Sequence, residues 1–356
     1  MQEQQVRIDY FDNLRIFAAF LIMLLHIAAY QWYVTDIKST DWFILNAWKT
    51  LTDHAVLLYV MISGALFLSR DIPIKKLYSK YILRLLVAYV FWSVIYSVYA
   101  NYSLGVKSII KGALNSHYHL WFIPMMIGLY MCVPILKRIV ESEKITKYFL
   151  IVSFVFAFLV PFVFNILIRF GNGRLAEAAS LLNDRFSDMK IYMFIGYSFF
   201  FVLGYWINRA EFSKRMRMAL YGLGVLGLIF TCVLTSADTV THGEVSDLFH
   251  GNFNLGVLFT LIATFVLFKY NFSGKEEKSS DSSMFRKLIV KLSKYSFGAY
   301  LVHDLVIQLI NRVTGINAVS FNPIAAVPVI AVVTFVISFG VSALLNVIPG
   351  IKKYIV

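Results

Sequence analysis

The sequence predicts an all-α polytopic integral membrane protein, folded as a single bundle of about ten transmembrane helices. Three observations lead to this fold class. Only 15% of the 356 residues are charged and 59% are hydrophobic, whereas about a quarter of the residues of a typical soluble domain are charged. Apolar stretches of membrane-spanning length recur along the whole chain. Lysine and arginine are concentrated in every second connection between these stretches.

Ten apolar stretches are long enough, or nearly long enough, to form transmembrane helices. The second is the shortest, and its start is open to extension into LTDHAVLLYV. The polar, serine-rich segment 271–290 predicts a flexible cytoplasmic loop. Without an internal repeat or an appended soluble region, we predict one transmembrane domain over residues 1–356. The predicted spans are 14–34, 54–69, 82–102, 119–136, 147–169, 191–208, 218–236, 252–270, 294–312 and 324–348.

The basic residues set the predicted orientation of the helices. Those that follow spans two, four, six and eight, such as Lys75, Arg138, Arg215 and Lys291, outnumber those in the alternate connections. The positive-inside rule therefore places both termini in the cytoplasm. The outer connection 169–190 is mixed, because it carries basic and acidic residues. Since the net charge of +13 lies in short connections between apolar spans, the expected partner is a lipid bilayer and not a nucleic acid.

The first span carries two ionisable side chains, Arg15 and His26, with ten residues between them. Eleven steps of about 100° return to nearly the same face of a helix, roughly 16 Å further along its axis. We therefore expect Arg15 at one membrane face and His26 deep in the bilayer. A charge at that depth costs about 2.5–3.5 kcal/mol, so a neutral imidazole that remains available as a base is expected. The alternative is a core histidine bonded to a neighbouring carbonyl group.

The other histidines divide by predicted depth. His303 in span nine lies at a depth similar to that of His26, and is either a buried core residue or part of the same site. His117 and His119 belong to the outer face, and their spacing, with no cysteine nearby, does not match a zinc site. We therefore expect no metal ion. The remaining outer histidines are His54, His242 and His250.

The basic residues near the cytoplasmic face also have two interpretations. Arg15 either snorkels to the lipid headgroups or binds an anion, and Asp12, one turn earlier, is placed to pair with it. Lys80 and Arg84 either anchor their helix or form a cytoplasmic anion pocket, since arginine binds phosphate with a planar fork.

Four sequence elements occur in order along nearly the whole chain. They are DNLR followed by His26, MISGALF in span two, HLWFIP at the start of span four and SFGAYLVH in span nine. Together they resemble the membrane-bound acyltransferase family 3. The resemblance implies a multi-pass protein of the bacterial inner membrane. It also implies the transfer of an acyl group, usually acetyl from acetyl-CoA, to hydroxyl groups of glycans or lipids at the outer face.

The resemblance also assigns roles to residues. His26 matches the essential histidine of the family, Arg15 its partner, and Arg84 the basic residue that opens the third helix. The chain departs from the family at Tyr81, where many members have the first arginine of an Arg-x-x-Arg pair. It departs again at Asp304, where apolar residues or proline are common.

These roles suggest a path for the substrates. The phosphates of acyl-CoA are expected on Arg15, Arg84 and Lys80, while the pantetheine arm follows the first helix to His26. His26 then acts as a general base on the acceptor hydroxyl or carries the acyl group transiently, and both remain open. The segment 170–190 is the expected lid over a surface glycan or lipid-linked saccharide. The candidates on the substrate side are His119, Trp121, His303 and Asp12.

The alternative function is a transporter or flippase of an acyl group or of a lipid-linked glycan. Such a protein is expected to spread polar residues through several spans. Here the deep polar groups centre on His26 and His303, which favours an enzyme.

Overall fold

The computed structural model describes residues 9–191, 194–272 and 280–356, which form helices and no strand. The predicted all-α fold class is confirmed. A helix pairs its own backbone N–H and C=O groups, as an apolar segment in a bilayer requires. In chain order the helices are α1 (Asp9–Trp32), α2 (Thr40–Thr52), α3 (Ala55–Leu68), α4 (Ile74–Lys76), α5 (Leu83–Asn101), α6 (Val106–Asn115), α7 (Phe122–Val140), α8 (Glu143–Phe154), α9 (Val160–Phe170), α10 (Gly173–Asp188), α11 (Ser198–Arg209), α12 (Lys214–His242), α13 (Leu255–Asn271), α14 (Ser280–Thr314), α15 (Pro323–Leu345) and α16 (Pro349–Tyr354).

Seven helical segments within the described residues are long and apolar enough to cross a membrane, which makes the chain a multi-pass membrane protein. The other three predicted spans fall on α11 and α13, which have 12 and 17 residues, and on α14, which is long but more polar. The number of about ten spans and the cytoplasmic location of both termini therefore stay predictions. The seven segments are Asp9–Trp32, Thr40–Leu68, Ile74–Leu104, Tyr118–Val140, Glu143–Phe170, Lys214–His242 and Pro323–Leu345.

The described residues form two compact units. In the first unit, α14 packs against α15, and α5 packs against both α6 and α16. In the second unit, α3 packs against α11 and α2 packs against α12. The first unit comprises the described parts of residues 1–31, 72–131 and 267–356, and the second those of residues 32–71 and 132–266.

Glycine permits the close approach of α3 and α11 in the second unit. A Cβ atom on Gly64 would lie 1.8 Å from the backbone oxygen of Phe201, and one on Gly204 would lie 2.1 Å from that of Met61. Both distances are far below any van der Waals contact. The obstacle in each case is backbone and not a side chain that turns away, so the two helices stay this close only if both positions lack a side chain.

Adding a methyl group at either glycine is therefore expected to lower stability. Gly64→Ala and Gly204→Ala should each cost about 1–3 kcal/mol, as overpacked interiors do. The matched control is Gly222→Ala in α12, where a Cβ atom meets nothing within 4 Å. Thermal unfolding in one detergent compares the three variants. Equal midpoints for all three would contradict the close packing of α3 on α11.

The segment 170–190, which was predicted as a loop that covers the acceptor, is mainly helical, so its assignment to a loop is wrong. Most of this segment is the helix α10, whose N-terminus is capped by Asn172 at 3.1 Å from the backbone nitrogen of Leu175. Just before it, Arg169 binds the buried carboxylate of Asp238 through two hydrogen bonds of 2.9 and 3.1 Å. The basic character of this connection thus serves in part to neutralise a buried acid.

The predicted flexible loop 271–290 is also shorter than expected. Residues 273–279 lie outside the described residues, but α14 begins at Ser280. The part from 280 to 290 is therefore helical. Serine favours the start of a helix as readily as a linker, because its hydroxyl group can satisfy free backbone N–H groups.

Candidate active site

Two histidines from different helices meet in the first unit. Helix α1 carries His26 and helix α14 carries His303. The Nδ1 atom of His26 lies 3.0 Å from the Nε2 atom of His303, and the ring centroids are 4.8 Å apart. The sequence predicted a similar depth for both residues, and the structure places them in direct contact.

The neighbouring carbonyl groups fix the proton positions of this pair. The Nδ1 atom of His303 faces the backbone oxygen of Tyr300. Because a carbonyl oxygen only accepts, this nitrogen carries the proton and Nε2 of the neutral ring is an acceptor. The Nδ1 atom of His26 lies 2.9 Å from the backbone oxygen of Ile22 and also faces the acceptor Nε2 atom of His303. It therefore donates, and the lone pair of His26 is on Nε2.

This tautomer gives His26 a defined reactive atom. Its ring is only partly buried, whereas His303 has no exposed surface. The Nε2 atom of His26 can accept a proton or bond to an acyl carbon while Nδ1–H stays held. When Nε2 takes a proton, the hydrogen bond from Nδ1–H to the acceptor nitrogen of His303 stabilises the positive charge of the His26 ring.

A buried carboxylate adjoins the two histidines. Asp304 follows His303 in α14 and has no exposed surface. Its Oδ1 atom accepts hydrogen bonds from the hydroxyl groups of Tyr30 and Tyr118, at 2.9 and 2.7 Å. Its Oδ2 atom accepts one from the side-chain amide of Gln308 at 2.7 Å. Asp304 is thus held by neutral donors that come from three segments of the chain.

A 3₁₀ turn, Tyr118–Trp121, brings two more histidines to this carboxylate. The Nε2 atom of His117 lies 3.5 Å from Oδ2 of Asp304, and its Nδ1 atom lies 2.8 Å from Nδ1 of His119. Burial lowers the pKa of His117, and the charge of Asp304 opposes this effect only in part. His117 is therefore mainly neutral at neutral pH.

His117, His119 and Asp304 are also the described residues best placed to bind a metal ion. Each offers one donor atom, and these atoms lie within 4.8 Å of one another. Their hydrogen bonds with one another and with Gln308 account for the arrangement without a cation. The expectation that the protein needs no metal ion, which came from the spacing of the histidines, stays a prediction.

A comparison with known families identifies the class of the protein. The acyltransferase domain of acyltransferase family 3 matches residues 8–343, a range that includes both histidines and Asp304. The chain belongs to acyltransferase family 3. It is therefore a membrane acyltransferase, as the resemblance of its sequence elements implied. No curated protein and no solved structure matches it.

In this acyltransferase Arg15 lies on the same helix as His26, as predicted. Its Nη1 atom is 3.2 Å from Oδ1 of Asp12, and the same oxygen accepts a hydrogen bond of 2.6 Å from the hydroxyl of Ser293. The predicted pairing of Arg15 with Asp12 is confirmed. Asp12 is buried while about a quarter of the Arg15 side chain is exposed, so the arginine is the part of this pair that a ligand reaches.

Arg84 of the acyltransferase has a partner that the sequence did not suggest. Its Nη2 atom donates a hydrogen bond of 2.6 Å to the backbone oxygen of Val356, and Trp92 donates one of 3.0 Å to that of Ile355. The Nε atom of Arg84 is buried and has no hydrogen-bond partner among the residues that the structure describes. Lys80 is exposed, on a π-helical turn of residues 77–82. The two predicted anion ligands of this helix thus differ: Arg84 is hydrogen-bonded to the backbone of Val356, whereas Lys80 is exposed.

On the predicted substrate side the structure buries three of the four candidates, His119, His303 and Asp12. His119 is 1% exposed, packed among the rings of Tyr96, Tyr300 and His303, and offers no face to a sugar. Trp121 is 38% exposed and remains a candidate. Both residues lie in the 3₁₀ turn, and the directions of their side chains differ by about 120°, because each residue advances about a third of a turn.

Four side chains of this site were missed by the sequence analysis. Tyr30 lies one helical turn after His26, and Gln308 one turn after Asp304, so a search for polar partners at that spacing would have found both. Nothing in the sequence marks Tyr118 or His117 as a partner of Asp304, from which Tyr118 is 186 residues away and His117 one residue further.

Proposed function

We propose that this protein transfers a short acyl group, acetyl above all, from cytoplasmic acyl-CoA to a hydroxyl group of a surface glycan or lipid-linked saccharide. Membership of acyltransferase family 3 supports acyl transfer in general. A hydroxyl acceptor is what the resemblance of the quoted sequence elements to this family implies. The corresponding location is the bacterial inner membrane.

The observation that carries the proposal is the lone pair on Nε2 of His26. In the general-base route, Nε2 takes the proton of the acceptor hydroxyl while its oxygen attacks the thioester carbon. The C–S bond then breaks and the thiolate of CoA receives the proton from His26. In the covalent route, Nε2 attacks first, the C–S bond breaks and CoA leaves as the thiolate; the acyl group then passes from nitrogen to the hydroxyl oxygen, and the hydroxyl proton goes to the thiolate. Both routes need the same tautomer.

The acyl donor requires a basic binding region at the cytoplasmic end of α1. Arg15 and Lys80 are the partly or fully exposed cations suited to its phosphates. A length of roughly 16 Å along α1 separates Arg15 from His26, which is comparable to the pantetheine arm. Arg84 contributes to the same region if Val356 is displaced.

The test of this function is the release of CoA thiol by purified protein in detergent. A detergent solution has no two compartments, so transport cannot be scored there while chemistry can. We expect thiol release that depends on an added saccharide and on His26. No thiol release with any surface-glycan acceptor, together with movement of acetyl-CoA or of a lipid-linked sugar across proteoliposomes, would establish the transporter instead.

Removal of the predicted phosphate ligands tests the donor site. Arg15→Ala and Arg84→Ala are each expected to weaken CoA binding about tenfold to a hundredfold, as the loss of a charged hydrogen bond does. Binding of CoA to the solubilised variants is the measurement. Arg138→Ala is the control, since that arginine is exposed and pairs with Glu141. Unchanged affinity in both test variants would assign Arg15 and Arg84 to membrane anchoring.

A further inference from the structure

Four side chains surround the carboxylate of Asp304, and we call them the rim: Tyr30, Tyr118, His117 and Gln308. The two tyrosines are 37% and 51% exposed, and the His117 side chain is 19% exposed. Acyl transfer at His26 requires none of the four. The exposed fractions of the two tyrosines nevertheless leave part of each side chain accessible, and the Tyr118 ring lies next to the reacting imidazole.

The rim is positioned relative to the reactive ring. The ring of Tyr118 contacts that of His26 edge to face, with centroids 5.6 Å apart. Tyr30 and Tyr118 also meet edge to face, at 6.1 Å, and one oxygen of Asp304 binds both hydroxyl groups. Asp304 thus fixes both rings, and a group stacked on Tyr118 lies beside His26.

A negative charge lies directly beneath this rim. Asp304 forms no ion pair with a lysine or arginine within the described part of the chain; the titratable groups around it are Tyr30, Tyr118 and the histidines His26, His117 and His303. The pKa of His117 is lowered by burial, so that ring does not neutralise the carboxylate at neutral pH. In an interior of low dielectric constant, such a charge acts on an adjacent ligand with little screening.

We propose that the rim binds the acceptor through an uncharged, polyhydroxylated saccharide unit, and that Asp304 excludes acceptors with a carboxylate or phosphate beside the reacting hydroxyl. The inference rests on the proposed function and specifies its acceptor class. Tyrosine faces stack on sugar rings, while hydroxyl, amide and imidazole groups form hydrogen bonds with sugar hydroxyls. Repulsion of like charges supplies the discrimination against the anionic sugars.

Matched pairs of saccharides test the proposal by direct binding, without an acyl donor. The probes are neutral pentasaccharides of glucose with three different linkages, each paired with its counterpart oxidised to a carboxylate at C6. Calorimetry on the full chain in nanodiscs of phosphatidylcholine gives the affinities. We expect at least one neutral probe to bind, and its anionic counterpart to bind at least about tenfold more weakly.

Two variants separate charge from contact. Asp304→Asn should bring the affinities of the two saccharides of a pair to within about threefold, because it replaces the charged carboxylate by a neutral amide of similar shape. Tyr118→Phe should weaken both probes alike and preserve their ratio. Asp247→Asn is the control, since it removes an equal charge from an exposed side chain of the same predicted outer face. Unchanged thermal unfolding verifies that each variant is folded.

Each outcome decides between the two proposals. If no neutral probe binds, or if Asp304→Asn leaves the ratio unchanged, the rim is not the proposed acceptor site. Thiol release that persists in that case leaves the proposed function intact. If the binding discrimination is found but no thiol is ever released, the rim binds neutral saccharides and the proposed acyl transfer is overturned.

Discussion

Replacement of His26 by alanine is expected to abolish acyl transfer while the protein remains inserted and folded. A general base contributes about two to four orders of magnitude in rate, and loss of an acyl carrier removes the reaction altogether. His303, which contacts His26 directly, is fully buried and does not offer an accessible nitrogen in its place. The release of CoA thiol in the presence of a saccharide acceptor measures the effect.

The control for this variant is another histidine of the same protein. His242→Ala removes an imidazole at the end of α12, in the second unit, and should keep the wild-type rate. Turnover at the wild-type rate by a folded His26→Ala protein would remove the central role of His26. Mass spectrometry after incubation with acetyl-CoA alone distinguishes the routes, because an acetyl adduct on His26 forms only in the covalent one.

The sequence was sufficient to predict features that depend only on residues near one another in the chain. Apolar segments of membrane length lie mainly on helices because a helix satisfies its own backbone in lipid, although span 147–169 covers α8, a π-helical turn and α9, and α11 begins only at Ser198 of span 191–208. The spacing from Arg15 to His26 needed only the geometry of a single helix, and α1 contains both residues. The pairing of Arg15 with Asp12 is local for the same reason.

The features that the sequence analysis missed or assigned wrongly lie where distant segments meet or where a polar composition has two outcomes. The contact of Arg84 with Val356 joins residues 272 positions apart, and no periodicity encodes it. The burial of His119 depends on rings from α5 and α14. The segments 170–190 and 280–290 were assigned to loops because they are polar, although polar residues also form exposed helices.

Asp304 also shows that the sequence can mark a residue without revealing its partners. Asp304 was visible in the sequence as a departure from its family, but its meaning depends on the Tyr118 hydroxyl and the His117 ring. A carboxylate in an apolar span is expected to have a function or a partner. The structure supplies the partners, and these neutral donors leave its charge in place beside His26.

Replacement of His303 by leucine is expected to lower kcat about tenfold to a hundredfold and to leave the KM for acetyl-CoA nearly unchanged. The loss concerns the acceptor of the His26 Nδ1–H group, which holds the productive tautomer. The loss should be smaller than in the His26 variant, because the backbone oxygen of Ile22 still accepts from the same nitrogen.

Glutamine at position 303 tests whether His303 positions His26 or only fills space. The end of a glutamine side chain can place an acceptor oxygen near the site of the histidine Nε2 atom. His303→Gln should therefore recover most of the rate lost in His303→Leu, although leucine is the better residue for an apolar core. If the leucine variant is as active as the glutamine variant, with both folded, the Nδ1–Nε2 contact does not prepare His26. If both lose CoA binding together with kcat, His303 supports the fold of the whole unit and the tautomer argument fails.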